Sequence, residues 1–177
     1  MMDPAIIESA GPVTLVAATP ASLDAEDVSG DRLAEHLGVA APSTWPPEHN
    51  DANTRDWMRS LLAAHPDEPG YGFWYILVGD RLVGICGYKG PPDAMGTVEI
   101  GYSVVEAEQR KGYGSAATAC LVARAFRDSR VWSVAGETLP ELEASQKVMI
   151  RNGFNLVGTR PDAEVGEILR FVRPRPT

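Results

Sequence analysis

The clearest alternation of polar and apolar positions lies at residues 97–104, near the middle of the chain. The apolar positions are Val98, Ile100, Tyr102 and Val104. Their period of two predicts a strand with one apolar face. Residues 115–126 are mostly Ala, Cys, Leu, Val or Phe, a run too long for an ordinary strand, and they predict a largely buried helix.

Similar patterns predict the other elements. Strands are expected at residues 13–18, 73–78, 82–88, 131–137, 155–159 and 167–172. Helices are expected from Pro20, over 31–37, from a cap at Asn53 or Thr54 to about 64, and over 142–152, where Gly153 ends the helix. Three consecutive antiparallel strands would lead into the buried helix, which crosses to a parallel strand.

These elements predict a mixed α/β (α+β) fold. Its central sheet would be mostly antiparallel, with about 6–7 strands and flanking helices. The 177 residues and the hydrophobic content of 44% suit a single domain over residues 1–177, with its core at about 13–172 and short loose termini.

Composition excludes several functional classes. The formal net charge of -8, without a long basic run, argues against general nucleic-acid binding. Cys86 and Cys120 have no partner at metal-ligand or redox spacing, so we expect reduced packing residues and no metal. There is no basic leader and no apolar run of about 20 residues. We therefore expect a soluble, cytoplasmic protein that does not bind a membrane.

The segment 109–115 between the central strand and the helix predicts an anion site. Gly112 and Gly114 allow the backbone to turn its N–H groups inward where the helix begins, and the helix dipole adds positive potential. Phosphate is the expected ligand. Two alternatives remain. The glycines could serve only close packing, or Gly112-x-Gly114-x-x-Ala117, with Glu137 further on, could be a dinucleotide fingerprint. The seven residues 105–111 are long for the tight dinucleotide turn.

The pattern Gln109-x-x-Gly112-x-Gly114, placed after the strand at residues 98–104, resembles the acyl-CoA loop of the GNAT superfamily of N-acetyltransferases. Residues 137–145 and the later Asn-Gly-Phe at 152–154 resemble the branch that includes the ribosomal-protein alanine acetyltransferases. The resemblance implies a GNAT-like fold, acetyl-CoA as cosubstrate and transfer of an acetyl group to a primary amine.

The resemblance also implies a set of cofactor contacts. The pyrophosphate of CoA would lie on the backbone N–H groups of the loop, while the pantetheine arm would pair with the central strand. The implied residues are Tyr102, Ser103, Val104, Gln109, Arg110, Lys111, Gly112, Tyr113, Gly114 and Ser115. The strand at 132–137 would diverge and leave a slot for the thioester, whose oxygen would accept a hydrogen bond from a backbone N–H near Val104.

Amide formation requires a neutral amine, so a base or a water chain must remove one proton. Glu99 is the candidate base, because a carboxylate in mid-strand is unusual and because several members of the superfamily carry a catalytic Glu at this position. The alternative for Glu99 is a carboxylate that only forms ion pairs.

The late helix departs from the family pattern. Met149 stands where many members have a Tyr that protonates the leaving thiolate, and Leu142 replaces an Asn that often holds pantetheine. Ser145 matches a family Ser and could donate to the sulfur, or could simply bond its own backbone. Neither cysteine is placed to be acylated, so direct attack in a ternary complex is expected. A non-catalytic acyl-CoA sensor is the rival reading.

The acceptor is expected to bind among residues 33–64 and 71–74, which hold most of the large aromatic residues. Trp45, in a loop with three prolines, and Trp74 are the candidate contacts, although Trp45 could instead plug the edge of the core. The acceptor is a small-molecule amine or a peptide N-terminal amine, and the sequence does not choose between them. Exposed edge strands would allow a homodimer.

Overall fold

The structure is a computed structural model that describes residues 5–177. The strands are β1 (Ile7–Ala10), β2 (Val13–Ala17), β3 (Phe73–Val78), β4 (Arg81–Tyr88), β5 (Thr97–Val104), β6 (Ser133–Thr138), β7 (Asn155–Asp162) and β8 (Gly166–Pro174). The helices are α1 (Pro20–Val28), α2 (Gly30–Leu37), α3 (Ala52–Ala64), α4 (Tyr113–Arg127) and α5 (Glu143–Arg151).

All eight strands lie in one sheet in the order β1-β2-β3-β4-β5-β6-β8-β7. The β5–β6 pair is parallel, and the other neighbours are antiparallel. The predicted mixed, mostly antiparallel fold is therefore confirmed. The strand count is slightly higher than predicted, because β1 pairs with β2 at the sheet edge.

Helix ends follow the local sequence. Thr19 and Ser22 form a reciprocal capping box before α1, and Pro20 occupies its first turn. Asp51, rather than the predicted Asn53 or Thr54, caps α3 by accepting a hydrogen bond from the Thr54 N–H at 2.8 Å. After α5, Gly153 has φ +80° and Phe154 folds back into the core, as predicted.

Alternating side chains divide the core between the two faces of the sheet. The main core lies under α4 and α5 and includes Leu15, Trp74, Ile76, Val98 and Ile100. A second core lies under α1, α2 and α3 and includes Val16, Leu23, Leu33, Tyr75 and Leu77. The period of two predicted for the central strand therefore sends its apolar residues towards α4 and α5, and Glu99, Gly101 and Ser103 towards the opposite face.

The C-terminal segment is more ordered than predicted. β8 extends to Pro174, and the Arg175 side chain donates hydrogen bonds to the carbonyl oxygens of Val131 at 2.8 Å, Phe126 at 2.9 Å and Asp128 at 2.6 Å. The prediction of a loose tail is therefore wrong for residues 173–175. The predicted loose N-terminus is likewise wrong for residues 7–10, which form β1, and residues 1–4 lie outside the described part of the chain.

Candidate active site

The central strands β5 and β6 diverge about halfway along the length of β5. Their register pairs run from Thr97 with Ser133 to Ile100 with Gly136. Beyond this point β5 continues to Val104, paired on its other side with β4, and β6 continues to Thr138, paired with β8. The predicted divergence is therefore present, and it leaves a fork with strand backbone along both arms. We call this feature the β5–β6 fork.

The glycine loop follows the β5 arm of the fork. Arg110 has φ +63° and Gly112 has φ +84°, so the residues on both sides of Lys111 adopt the left-handed backbone conformation. Helix α4 begins at Tyr113 after Gly112, and no side chain within residues 5–177 caps its first N–H groups. These donors and the helix dipole are therefore available to an anion.

Gln109 holds the loop rather than extending from it. Its side-chain Nε2 donates to the carbonyl oxygen of Val104 at 2.9 Å, which ties the loop to the end of β5. Glu108, with Lys111 at 3.0 Å and Arg81 as partners, fixes the preceding turn. Arg110 and Lys111 are exposed and add positive charge beside the free N–H groups.

The first turn of α4 is joined to the end of α5 by Asn152. Its Nδ2 donates to Oγ of Ser115 at 3.2 Å and to the carbonyl oxygen of Val148 at 2.9 Å. Arg173 donates to the carbonyl oxygen of Asn152 at 2.8 Å. Sequence reasoning used Asn152 only as part of a motif and missed this link. The sequence did offer one signal for this link, because Asn152 is a polar residue directly before the glycine that ends the helix.

Tyr102 and Ser145 come together on the α4/α5 face of the fork. The Tyr102 ring packs on Gly114, where an added Cβ would lie 2.6 Å from Cε2 of the ring. Burial raises the pKa of Tyr102, and the nearby Ser145 hydroxyl offsets part of that rise. Met149 is buried beside them, with its Cε 2.8 Å from a Cβ built on Gly136.

Glu99 lies on the opposite face of the fork, within a network of charges. It pairs with Lys89 and, at 3.5 Å, with Nη1 of Arg170. Arg170 also contacts Oε1 of Glu137 at 3.2 Å, and the guanidinium of Arg160 holds the pKa of Glu137 below its ordinary value. Glu99 is therefore ion-paired in this structure, while its side chain remains 25% exposed close to the point where the two strands separate.

The two predicted acceptor contacts are both held by packing against a core and by a hydrogen bond. Trp74 is fully buried in the main core and donates its indole N–H to the carbonyl oxygen of Gly70 at 3.0 Å. The interpretation of Trp74 as a cleft residue does not fit this burial. Trp45 packs against the second core and donates to Oε1 of Glu26 at 3.0 Å, which agrees with the alternative that it plugs the edge of the core.

The model of the acetyltransferase (GNAT) domain matches residues 13–155 of the chain. This chain belongs to the GNAT family of acetyltransferases. Its similarity to an N-acetyltransferase of unknown role from Bacillus subtilis (strain 168), YjdG, is 27% identity over 136 residues, which is 76% of this chain and 80% of that protein.

Solved structures confirm the fold. The ribosomal L7/L12 alpha-N-protein acetyltransferase RimL, in complex with coenzyme A, has a TM-score of 0.73 at 20% identity, covering 96% of this chain and 98% of that one. The microcin C7 self-immunity acetyltransferase MccE, in complex with acetyl-CoA and AMP, has a TM-score of 0.68 at 16% identity, covering 93% of each chain.

Family membership confirms the enzyme class that the sequence predicted, an acetyl-CoA-dependent N-acetyltransferase. It does not support the dinucleotide reading of the same glycines. Nowhere in residues 5–177 is a helix sufficiently long and apolar to span a membrane. The same residues contain no cluster of three or more His, Cys, Asp or Glu side chains arranged to hold a metal ion.

Proposed function

We propose that this enzyme transfers the acetyl group of acetyl-CoA to a primary amine by direct attack in a ternary complex. The observation that carries the proposal is the position of the β5–β6 fork next to an uncapped, positively charged helix start. The pyrophosphate would bind the N–H groups of residues 110–115, and the pantetheine arm would run along Tyr102, Ser103 and Val104 into the fork.

The free backbone edge of β5 supports the placement of the thioester. Beyond Ile100 this edge has no β6 partner, so its N–H groups are available to a carbonyl oxygen. A Cβ built on Gly101 would have no heavy atom within 4 Å, so there is open space on the Glu99 face at the same point. An acyl group bound there would be within reach of an amine that approaches from that face.

Glu99 is the proposed base for this amine. A cationic amine that approaches Glu99 can replace Lys89 or Arg170 as the partner of the carboxylate and then lose a proton to it. The ion pairs found in the structure hold Glu99 in place for that exchange. Ser145, on the other face of the fork and close to Tyr102, is proposed to hydrogen-bond the cofactor near its sulfur.

The acceptor class is taken from the relatives and not from local charge, because Lys89, Arg160 and Arg170 already neutralise the carboxylates of Glu99 and Glu137. The RimL neighbour is described as an alpha-N-protein acetyltransferase, so we propose a peptide N-terminal amine as the acceptor to test first, and small-molecule amines second.

A homodimer is proposed through the edge strand β7. Residues 155–161 of this strand are exposed, and they include Leu156 and Val157, which are 53% and 60% exposed. Such an edge can pair with a second copy. Light scattering of wild type and a Val157→Lys variant would test this; a monomeric wild type would contradict it.

Release of free CoA during incubation with acetyl-CoA and amines tests the proposed reaction. A panel of N-terminal peptides and small amines should contain at least one amine that accelerates release over water. A thermal melt with acetyl-CoA at about 100 times its Kd should raise the midpoint by roughly 5–10 °C. Tight binding without turnover across the panel would instead support a non-catalytic acyl-CoA sensor.

A further inference from the structure

Two residues with hydroxyl groups occupy equivalent positions on the two arms of the β5–β6 fork. Ile100 and Gly136 are the last register partners of the parallel pair. Two residues further along each arm lie Tyr102 and Thr138, which would be partners if the ladder continued. Thr138 pairs with Leu169 of β8, which belongs to the main core, and Tyr102 packs against the same core. Both side chains therefore lie on the α4/α5 face.

The Thr138 hydroxyl is buried without a hydrogen-bond partner. The residue is 6% exposed, and its Oγ1 contacts no donor or acceptor among residues 5–177. An unpaired hydroxyl in a buried site is unfavourable, because it has lost its bonds to water without replacement. Because Thr138 lies on one arm of the fork, a polar group of a ligand bound there would supply the missing hydrogen bond.

The Tyr102 phenol is held at the other arm as a neutral donor. The contact of its ring with Gly114 fixes its direction, because even one added methyl group there would overlap the ring. Burial raises its pKa, so the phenol keeps its proton at neutral pH. The neighbouring Met149 fills the space next to Gly136 with a thioether, which has no proton to give.

We propose that Tyr102 donates the proton that the departing CoA thiolate accepts, and that Thr138 hydrogen-bonds the pantetheine arm from the opposite side of the fork. The inference rests on the proposed acetyl transfer and names the residues that handle its leaving group. The proton donor comes from the central strand rather than from the late helix, where the family Tyr would be.

The cationic amine first loses one proton to Glu99 or to water. Its nitrogen then forms a bond to the thioester carbon and loses a second proton to water. The carbon–sulfur bond breaks, and the sulfur takes the electron pair. The thiolate then receives the phenolic proton of Tyr102, and the phenolate recovers a proton from water. The net products are the acetylated amine, CoA with a free thiol and one proton released to solvent.

Thr138→Val tests the binding half of the proposal. Removing an unpaired buried hydroxyl should leave the melting temperature of the unliganded protein unchanged or higher. The affinity for acetyl-CoA, measured by titration calorimetry, should nevertheless fall roughly 5- to 10-fold. Thr118→Val is the matched control, because Thr118 is also buried with an unpartnered hydroxyl but lies inside α4. Equal acetyl-CoA affinity in both variants would overturn the role of Thr138.

Tyr102→Phe tests the proton transfer. We expect kcat to fall on the order of 100-fold, with the Kd for acetyl-CoA close to that of wild type. The selenoester analogue of acetyl-CoA supplies the discriminating measurement, because a selenolate leaves as a weaker base and has less need of a proton. The defect should therefore shrink with the selenoester. An equal loss of kcat with both donors would show a structural role and overturn the assignment.

Tyr71→Phe is the control for loss of a phenol elsewhere, since the Tyr71 hydroxyl bonds Asp128 at 2.6 Å, away from the fork. Measurements on wild type distinguish failure of the proposed acetyl transfer from failure of the roles proposed for Tyr102 and Thr138. If wild type binds acetyl-CoA but no amine releases CoA, the proposed reaction fails while the Thr138 titration still decides the binding contact. If wild type turns over and Tyr102→Phe matches it, only the proton donor is overturned.

Discussion

The indole N–H of Trp45 donates to Oε1 of Glu26 at 3.0 Å, and this contact fixes the proline-rich loop to helix α1. Asn50 donates to the same oxygen at 2.6 Å, and the Tyr75 hydroxyl donates to Oε2 at 3.1 Å. Glu26 is 5% exposed, so three donors compensate a buried carboxylate. The cost of burial nevertheless exceeds their effect, and the pKa of Glu26 is raised from its ordinary value.

This shift predicts a pH dependence of stability. The folded state binds the Glu26 proton more tightly than the unfolded state does, so the contribution of Glu26 to stability falls as pH rises from about 4.5 through its raised pKa. Glu26→Gln cannot titrate, so its stability relative to wild type should increase from about pH 5 to about pH 7.5. Urea midpoints at the two pH values measure this, and a constant difference would contradict it.

Replacing Arg110 or Lys111 by Gly removes one positive charge in each case, but the expected changes in the free energy of unfolding differ. Arg110 has φ +63°, where glycine is favoured, so Arg110→Gly should be neutral or stabilising by up to about 1 kcal/mol. Lys111 has no such φ, so Lys111→Gly should destabilise by about 0.5–1 kcal/mol. Both variants should bind CoA more weakly at low salt, and salt should reduce the difference from wild type.

Denaturant melts and titrations across ionic strength test this pair. A loss of stability in Arg110→Gly equal to that in Lys111→Gly would show that the left-handed backbone at Arg110 is not strained.

Gly101 and Gly114 differ in the space around an added Cβ, which is free at Gly101 and blocked by the Tyr102 ring at Gly114. A Cβ on Gly101 meets no atom within 4 Å, so Gly101→Ala should fold with unchanged or slightly higher stability. Its methyl group would enter the space proposed for the acyl group, so kcat/KM should fall. Gly114→Ala should lower the melting temperature by forcing the Tyr102 ring to move. Full activity of Gly101→Ala would place the acyl group elsewhere.

Glu99→Gln should lower kcat at neutral pH by about 100-fold or more. Glu137→Gln is the comparison, because it removes a carboxylate from the same Arg170 network without removing the proposed base. Its effect on kcat should be much smaller. Matching pH–rate profiles for wild type and Glu99→Gln would remove Glu99 from the mechanism and leave a water chain as the route for the proton.

Both cysteines should be inert in the folded enzyme. Cys86 and Cys120 are buried, and burial raises the pKa of each thiol, so little thiolate forms at neutral pH. Iodoacetamide should neither modify nor inactivate the native protein, whereas both thiols should react in urea. An acetyl group found on either cysteine by mass spectrometry would contradict direct attack.

The sequence predicted the element order because each element carries its own local pattern. The central strand at 97–104 matches β5, and the helix predicted over 115–126 is observed as Tyr113–Arg127. β1 was missed because it has only four residues, and Ile7 alone among them is a residue that favours strands. β7 was predicted to end at Thr159 but continues through Pro161, since an edge strand tolerates a residue without an N–H.

The surroundings of the candidate residues could not be predicted in the same way. The partners of Glu99 are 10 and 71 positions away in the chain, so its ion pairs depend on sheet register. The burial of Trp74 and the unpartnered hydroxyl of Thr138 are likewise consequences of tertiary packing. Spacing and residue type located the glycine loop, because that loop is a local backbone structure.

The shortness of the β5–β6 ladder has a mechanical consequence. Four register pairs connect the block β1–β5 to the block β6–β8. We therefore expect the sheet to deform most easily along this line, with α4 and α5 limiting the movement from one face. A cofactor that is hydrogen-bonded to both arms would restrict this movement. Amide hydrogen exchange near residues 101–104 and 136–138 would then slow together when acetyl-CoA binds.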